Sequence, residues 1–554
     1  MTLSHTSSRH QAARAGWMVR YLAVCISMAA ALGAGRTWAA ISPVAPRTML
    51  IGIGDSLTQG TMDATDNATN TLNAYLQKVA ESLEQSVPLI FNQPLLSVQG
   101  QRLRPFFVPT NLGVDGADLF SVEGIDYYKR AGTNQSVVSG NLLADKLLPW
   151  PFTDLYDRVL YPINLLAGKP VSQIDAAIWL LNQGARVAGV DRAIVLFWAG
   201  NNDSSTAALG SGGKNPRFLP IPVDQIAPVM PLLSLLLRIG ESQGGLSFAP
   251  YTQANVERNL TDLQDFLTQY DHLLTRLQTE TAASGVPTEV FLLTLPYYSA
   301  VGYLFDSEDL EFYLRKANPA YTVPPTFKRV APPGEPITDP IAGDRISLFT
   351  FGLMYALLHS GFSVEYVNQI LELNGQQRDG LVLSETEQRS IMSRIDGFNA
   401  TIRQAAASRG PHVHLIDIGQ FMNDALTGNV QIDVGGRILT RKWSRGSSFT
   451  MDGVHPSHTG QALIANFVLT QLNQVLGLDA PLYDLSAVMT SDPYVDNDGD
   501  GWAPGPNYPA SGLTSLLFLL KDPNDGNATV QPALPPDVWI RISTALWGEI
   551  LSIK

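Results

Sequence analysis

Ile51-Gly52-Ile53-Gly54-Asp55-Ser56-Leu57-Thr58-Gln59-Gly60 closes an apolar run that begins at Met49 and leads it into the small and polar residues of a tight turn. A short apolar run bounded by a turn reads as a buried strand. It delivers Ser56 to the carboxyl edge of a sheet, where open α/β sheets keep their ligands. A serine so placed either caps the helix that follows or acts as a nucleophile. The second role needs a base and an oxyanion site from elsewhere in the chain.

Outward from this stretch, strand and helix patterns alternate. Thr48 to Ile53 is the first expected strand. Thr69 to Leu83 is the first expected helix, with Leu72, Tyr75, Leu76, Val79 and Leu83 at helical spacing. Phe106-Phe107-Val108 reads as a second strand, opening into the turn Thr110 to Asp118, where Gly113 and Gly116 permit conformations that other residues avoid. Residues 119–190 give no readable order. Arg192 to Trp198 is nearly continuously apolar, as a strand covered on both faces requires, and ends in Ala199-Gly200-Asn201-Asn202-Asp203. Ala254 to Leu277 carries apolar residues every three or four positions and reads as one helix, with His272 as a structural histidine on it. Glu289 to Leu295 is a fourth strand, stopped by Pro296. Ser384-Glu385-Thr386-Glu387 is a capping box that opens a helix ending at Gly410. Val413 to Ile418 is a fifth strand and Gly460 to Leu476 a closing helix. Alternation of this kind predicts a parallel, doubly wound α/β sheet.

The chain has 554 residues, 45% of them hydrophobic and 16% charged, enough for a large core and more than one domain. Its first 39 residues hold Arg9, Arg14, Arg20 and Arg36 but no acid or lysine, and an apolar run from Tyr21 to Leu32 leads to Thr37-Trp38-Ala39. This is the pattern of a signal peptide over 1–39, and it predicts export to the periplasm or the medium. The run is shorter than the roughly 20 residues a membrane anchor needs. The single cysteine, Cys25, lies inside the leader and follows Val24 rather than a small residue, which argues against a lipid anchor. The mature chain therefore has no disulfide, thiol nucleophile or thiolate metal site, leaving core size and bound metal as sources of stability. Loss of the leader takes the net charge from −13 to about −17. No basic patch offers itself to phosphates, so nucleic acid is excluded as a partner.

Met451-Asp452-Gly453-Val454-His455-Pro456-Ser457-His458 lies between the fifth strand and the closing helix. Histidine is the usual base for a serine hydroxyl, and a carboxylate three residues earlier can orient its ring if the turn folds back. Gly54-Asp55-Ser56-Leu57, the Asn111 to Gly116 turn, Gly200-x-Asn202-Asp203 and Asp452-x-x-His455 together resemble, in order, the four blocks of the SGNH or GDSL hydrolases. The resemblance spans about 48–476 and is specific in the blocks. It implies a flavodoxin-like three-layer α/β/α sandwich over 40–485, with insertions near 119–190, 204–250 and 297–382, and hydrolysis of esters. By it, Ser56 attacks the acyl carbonyl, His455 relays the proton and Asp452 fixes the histidine tautomer. The Ser56 and Gly116 amides and the Asn202 side chain hold the oxyanion. His458 reads as a loop histidine. A rival nucleophile, Ser242 in Gly240-Glu241-Ser242-Gln243-Gly244, matches G-x-S-x-G but lacks the strand and helix that this motif requires.

The runs 226–239 and 346–358 are too short to span a bilayer; they form either a lid or acyl groove, with transient lipid contact, or buried helices. Beyond about 485 the composition turns acidic. Asp496, Asp498 and Asp500 occupy positions 1, 3 and 5 of an EF-hand-like loop with Gly501 at 6, although position 12 is Asn507. With Asp522 and Asp525 the segment 486–554 resembles aspartate-rich calcium-binding repeats of secreted bacterial proteins. One structural Ca2+ on these five aspartates is the expectation, and an acidic solvated linker the alternative. No cofactor is expected for catalysis. The substrate class is a lipid or small acyl ester; the alternatives are a carbohydrate O-acetylesterase and a non-catalytic calcium-dependent surface-binding protein.

Overall fold

The computed structural model describes residues 46–125, 155–209, 251–327, 343–372, 381–510, 512–542 and 544, with a few residues between 217 and 247. The leader, the Gly240 to Gly244 motif and most of the run 226–239 lie outside the described residues.

Every residue of β1 (Thr48–Gly54) is buried, and so is all of β3 (Arg192–Trp198) except its first residue. Strands without an exposed face need a layer on each side, and this is why their sequences read as unbroken apolar runs. With β2 (Leu89–Ile90), β4 (Thr288–Leu293) and β5 (Val413–Ile416) they form a five-stranded parallel sheet in the order β2-β1-β3-β4-β5. The protein is thus an α/β protein. Its helices include α1 (Tyr75–Leu83), α2 (Gln173–Trp179), α3 (Leu263–Thr281), α4 (Leu348–His359), α5 (Glu385–Ser408) and α6 (His458–Leu476). Of those on the sheet, α1 packs on α6, and α3 packs on both α2 and α5. Among the described residues no helix is long and apolar enough to cross a membrane.

Several expectations need correction. Phe106-Phe107-Val108 is not a strand: Phe106 is 72% exposed, and the buried guanidinium of Arg102 donates to the Phe107 carbonyl. The edge beside β1 is instead built in two pieces. Leu89–Ile90 pairs with Thr48 and Met49, and residues 110–114 then bond to Gly52 and Gly54. The expected helix over 69–83 is broken. Ala68–Thr71 forms one turn capped by Asn67, and Ala74 is extended before α1, whose Tyr75 amide donates to Gln461 Oε1. Leu72, one of the positions that suggested continuity, is 44% exposed. The expected helix over 254–277 is likewise two, Gln253–Arg258 and α3, because Thr261 Oγ1 donates to Asp203 and Asp262 caps α3. Ser384 and Glu387 form the expected capping box at the start of α5. His272 sits half-exposed on α3, bonded to Glu123.

A second apolar core lies beside the first. A three-stranded antiparallel sheet (Leu304–Phe305, Arg345–Ser347, Val382–Leu383) packs with α4 around Phe305, Tyr313, Phe351 and Tyr355. The run 346–358 is therefore a strand end and a buried helix. Trp443 and Met451 join this core from the segment before α6, and Tyr494 and Trp502 join it from the acidic C-terminal segment.

Candidate active site

The turn after β1 is set by close packing. A Cβ on Gly54 would lie 2.3 Å from the Trp198 carbonyl, and one on Gly52 would lie 2.3 Å from Leu76 Cδ2. The chain then enters the short helix Ser56–Gln59, and Asp55 caps it, with Oδ1 accepting from the Leu57 amide at 3.0 Å. The capping role suggested for Ser56 thus belongs to its neighbour. Ser56 is partly exposed while residues on both sides are buried.

Asp55 also ties β1 to β3, because its Oδ2 accepts from Asn201 Nδ2 at 2.9 Å. Next to it, Asn202 donates through Nδ2 to the Ala117 carbonyl at 3.0 Å, and Asp203 Oδ2 accepts from the Leu119 amide at 2.8 Å. These bonds fasten the turn after β3 to the segment that carries Gly116. Gly116 has φ of +74° and open space where a side chain would be. A left-handed residue facing open space is a position where glycine can turn its backbone amide toward a ligand.

The turn before α6 folds back as required. His455 Nδ1 lies 2.7 Å from Asp452 Oδ2, and both residues are buried. Asp452 Oδ1 accepts from Thr450 Oγ1 and from the amides of Val454 and His455, while Oδ2 also accepts from the Ala64 amide at 2.8 Å. Gly453, at φ +68°, makes the reversal, and a Cβ there would lie 2.7 Å from the Tyr303 amide nitrogen. Ser457 caps α6 and His458 is its first residue, stacked edge-on against Tyr494, so His458 is a helix residue rather than a loop one.

Charge distinguishes this site. Burial opposes ionisation of Asp452, but His455 and the donors around the carboxylate outweigh it and lower its pKa to about 2. Burial would also lower the pKa of His455; Asp452, then the more distant Asp115 and Asp55, raise it to about 9. Burial raises Asp55 to about 6 against the bonds from Asn201 and Leu57, and raises Asp115 to about 6 with help from Asp66. The histidine is thus ringed by carboxylates to which the sequence assigned no role: Asp55 and Asp115 inside the blocks and Asp66 outside them, with Asp63 beyond Asp452. The polar turn Met62-Asp63-Ala64-Thr65-Asp66, directly after the serine helix, is the signal that could have found two of them.

The structure therefore brings Ser56, Asp452, His455, Gly116 and Asn202 onto one edge of the sheet. Asp55, the residue next to Ser56, is one of the carboxylates whose charge acts on His455. Among the described residues neither the Ser56 hydroxyl nor His455 Nε2 makes a hydrogen bond. Such bonds are often long without substrate and tighten when it arrives.

The five C-terminal aspartates also converge. Carboxylate oxygens of Asp496, Asp498 and Asp500 lie within 4.8 Å of one another, as do those of Asp498, Asp522 and Asp525. Asp500 and Asp522 are 4% and 6% exposed, yet Oδ2 of each has no hydrogen-bond partner, and Oδ2 of Asp498 has none either. Buried carboxylate oxygens are rarely left unpaired, and a hard divalent cation is the partner that oxygen-only ligands accept. The residues fit a calcium-class ion.

Comparison with family models, with curated proteins and with solved structures finds no match to the chain.

Proposed function

We propose that the chain is an exported serine ester hydrolase of the SGNH or GDSL type on a flavodoxin-like three-layer fold. The observation that carries this reading is the bonded Asp452–His455 pair, fastened through the Ala64 amide to the loop that follows Ser56. The strand order 2-1-3-4-5 supports it. The chain goes from β1 to one side of the sheet and returns to β3 on the other, and Ser56 and Asn202 follow the two strands that flank this reversal.

In this reading Ser56 Oγ bonds to the acyl carbon while its proton passes to His455 Nε2. The carbonyl oxygen, now an anion, is held by the Ser56 and Gly116 amides and by the Asn202 side-chain amide. Collapse of the tetrahedral intermediate returns the proton to the departing alcohol, and water repeats the cycle to release the acid. Asp452 accepts from Nδ1, so the imidazole presents Nε2 to the serine and its charged form is stabilised.

A p-nitrophenyl ester chain-length series on the wild type, Ser56→Ala and Ser242→Ala tests the reading. Activity lost in Ser56→Ala and kept in Ser242→Ala is expected; full activity in Ser56→Ala would sink it. The same series separates substrates: turnover confined to acetyl esters favours a carbohydrate O-acetylesterase, and turnover of longer chains favours a lipid esterase.

A further inference from the structure

The two groups of aspartates stand at either end of one stretch of chain. Asp496, Asp498 and Asp500 precede it, Asp522 and Asp525 follow it, and residues 502–521 lie between them. A cation bridging both groups through Asp498, which belongs to each, would close this stretch into a loop of fixed span. Within the stretch, Tyr508 donates to Asp63 Oδ2 at 2.9 Å and Thr514 Oγ1 donates to the Asp63 carbonyl at 2.8 Å. Tyr494, two residues before Asp496, donates to the same Oδ2 at 2.5 Å. Three side chains of the acidic segment therefore converge on Asp63.

Asp63 leads directly to the candidate triad. Its Oδ1 accepts from the Met451 amide at 2.8 Å, and the next residue, Ala64, donates its amide to Asp452 Oδ2. Met62 and Thr65 exchange two backbone bonds around Asp63 and Ala64, which have φ of +53° and +54°. This is a left-handed turn that favours asparagine and glycine, and an Asp-Ala pair adopts it at a cost. Its geometry is therefore held by outside bonds, three from the C-terminal segment and three from Thr450, Met451 and Asp452. A second route runs the same way. The Tyr313 OH lies between the Gly501 and Trp443 carbonyls, at 2.8 and 2.7 Å, and shares its one hydrogen between them, and Trp443 Nε1 donates to the Met451 carbonyl.

We propose that a calcium-class cation held by Asp496, Asp498, Asp500, Asp522 and Asp525 fastens residues 502–521 onto the Asp63-Ala64 turn and so positions Asp452. The unpartnered, buried oxygens of Asp500 and Asp522 point to the ion, and the bonds through Asp63 point to its effect. Asp63 is a positioning residue, since it acts through Asp452. The catalytic consequence rests on the esterase reading; cation binding and the placement of Asp452 do not.

The test uses the chain stripped with chelator and two probes that need no substrate. Tb3+ luminescence sensitised by the adjacent Trp502 reports binding. The low-field proton resonance of His455 Nδ1–H reports its bond to Asp452. A saturable Tb3+ signal, displaced by Ca2+ and lost in Asp498→Asn, is expected; no saturable signal would overturn the proposal. Asp525→Asn, a change at a partly exposed site, should weaken the same signal and serves if Asp498→Asn does not fold. Ca2+ should sharpen the His455 resonance and, on the best ester, raise kcat about 10- to 100-fold with KM little changed. Asp63→Asn should bind Tb3+ as the wild type does while losing the response of the resonance and of kcat. Binding with no change at His455, or full calcium activation of Asp63→Asn, would overturn the coupling. If no ester is turned over, the luminescence and the resonance still decide the proposal.

Discussion

Asp452 and the pair Asp500 and Asp522 are all buried carboxylates, but the chain treats them in opposite ways. Asp452 accepts from five donors, three on Oδ1 and two on Oδ2, and its pKa falls to about 2. Asp500 and Asp522 each receive an amide on one oxygen and nothing on the other; burial raises both pKa values, that of Asp500 to about 6. A carboxylate saturated by its own chain stays ionised and is fixed as firmly as the segments that supply its donors. One left short of donors marks a place where the fold is completed from outside. The difference separates the proposed catalytic aspartate from the proposed cation ligands, although all are aspartates in polar turns.

The largest effect that can break this contrast lies at the saturated end. Ser56→Ala should lower kcat/KM about 10,000-fold or more without changing the thermal midpoint by more than a few degrees. Asn202→Ala removes one oxyanion donor and should cost about 100- to 1,000-fold in kcat, seen in steady-state kinetics on the same ester. Gly54→Ala pushes a methyl group against the Trp198 carbonyl and Thr58. It should destabilise the fold by about 1–3 kcal/mol in urea unfolding, with activity falling at least as far as the folded fraction.

The smallest effect is on pH dependence. His455 titrates at about 9 in the folded chain against an ordinary 6.5. The stability contributed by its charged form is therefore complete below about pH 6.5 and is lost as pH rises through about 9. A general base must be neutral, so kcat/KM should climb over the same interval. Asp115→Asn removes one of the charges that favour the imidazolium and should move the profile toward lower pH by less than about one unit. A profile already flat above pH 7 in the wild type would show that the carboxylate ring does not act on His455.

The sequence disclosed those parts of the fold whose signal is local. β1 and β3 were legible because a strand buried on both faces leaves an unbroken apolar run, and the Ser384 box because a cap is written in four adjacent residues. Leu89–Ile90 was not, since a two-residue strand leaves too little pattern, and the apolar triplet at Phe106 carries a stronger local signal. The helix breaks at Leu72 to Ala74 and at Asn259 to Asp262 were hidden by apolar spacing that continues across them. The decisive contacts there, Gln461 on Tyr75 and Thr261 on Asp203, come from distant residues. The candidate triad was legible as blocks. What surrounds it was not: the bonds of Asp63 to Tyr494 and Tyr508 span more than 400 positions.

The central claim is that Ser56 is the nucleophile served by His455 and Asp452. The most direct measurement is reaction of the intact chain with a fluorophosphonate, followed by mass spectrometry and peptide mapping. The account predicts a single phosphonyl adduct on Ser56, absent in Ser56→Ala and strongly slowed in His455→Ala. No adduct, or an adduct on another serine such as Ser242, would contradict it.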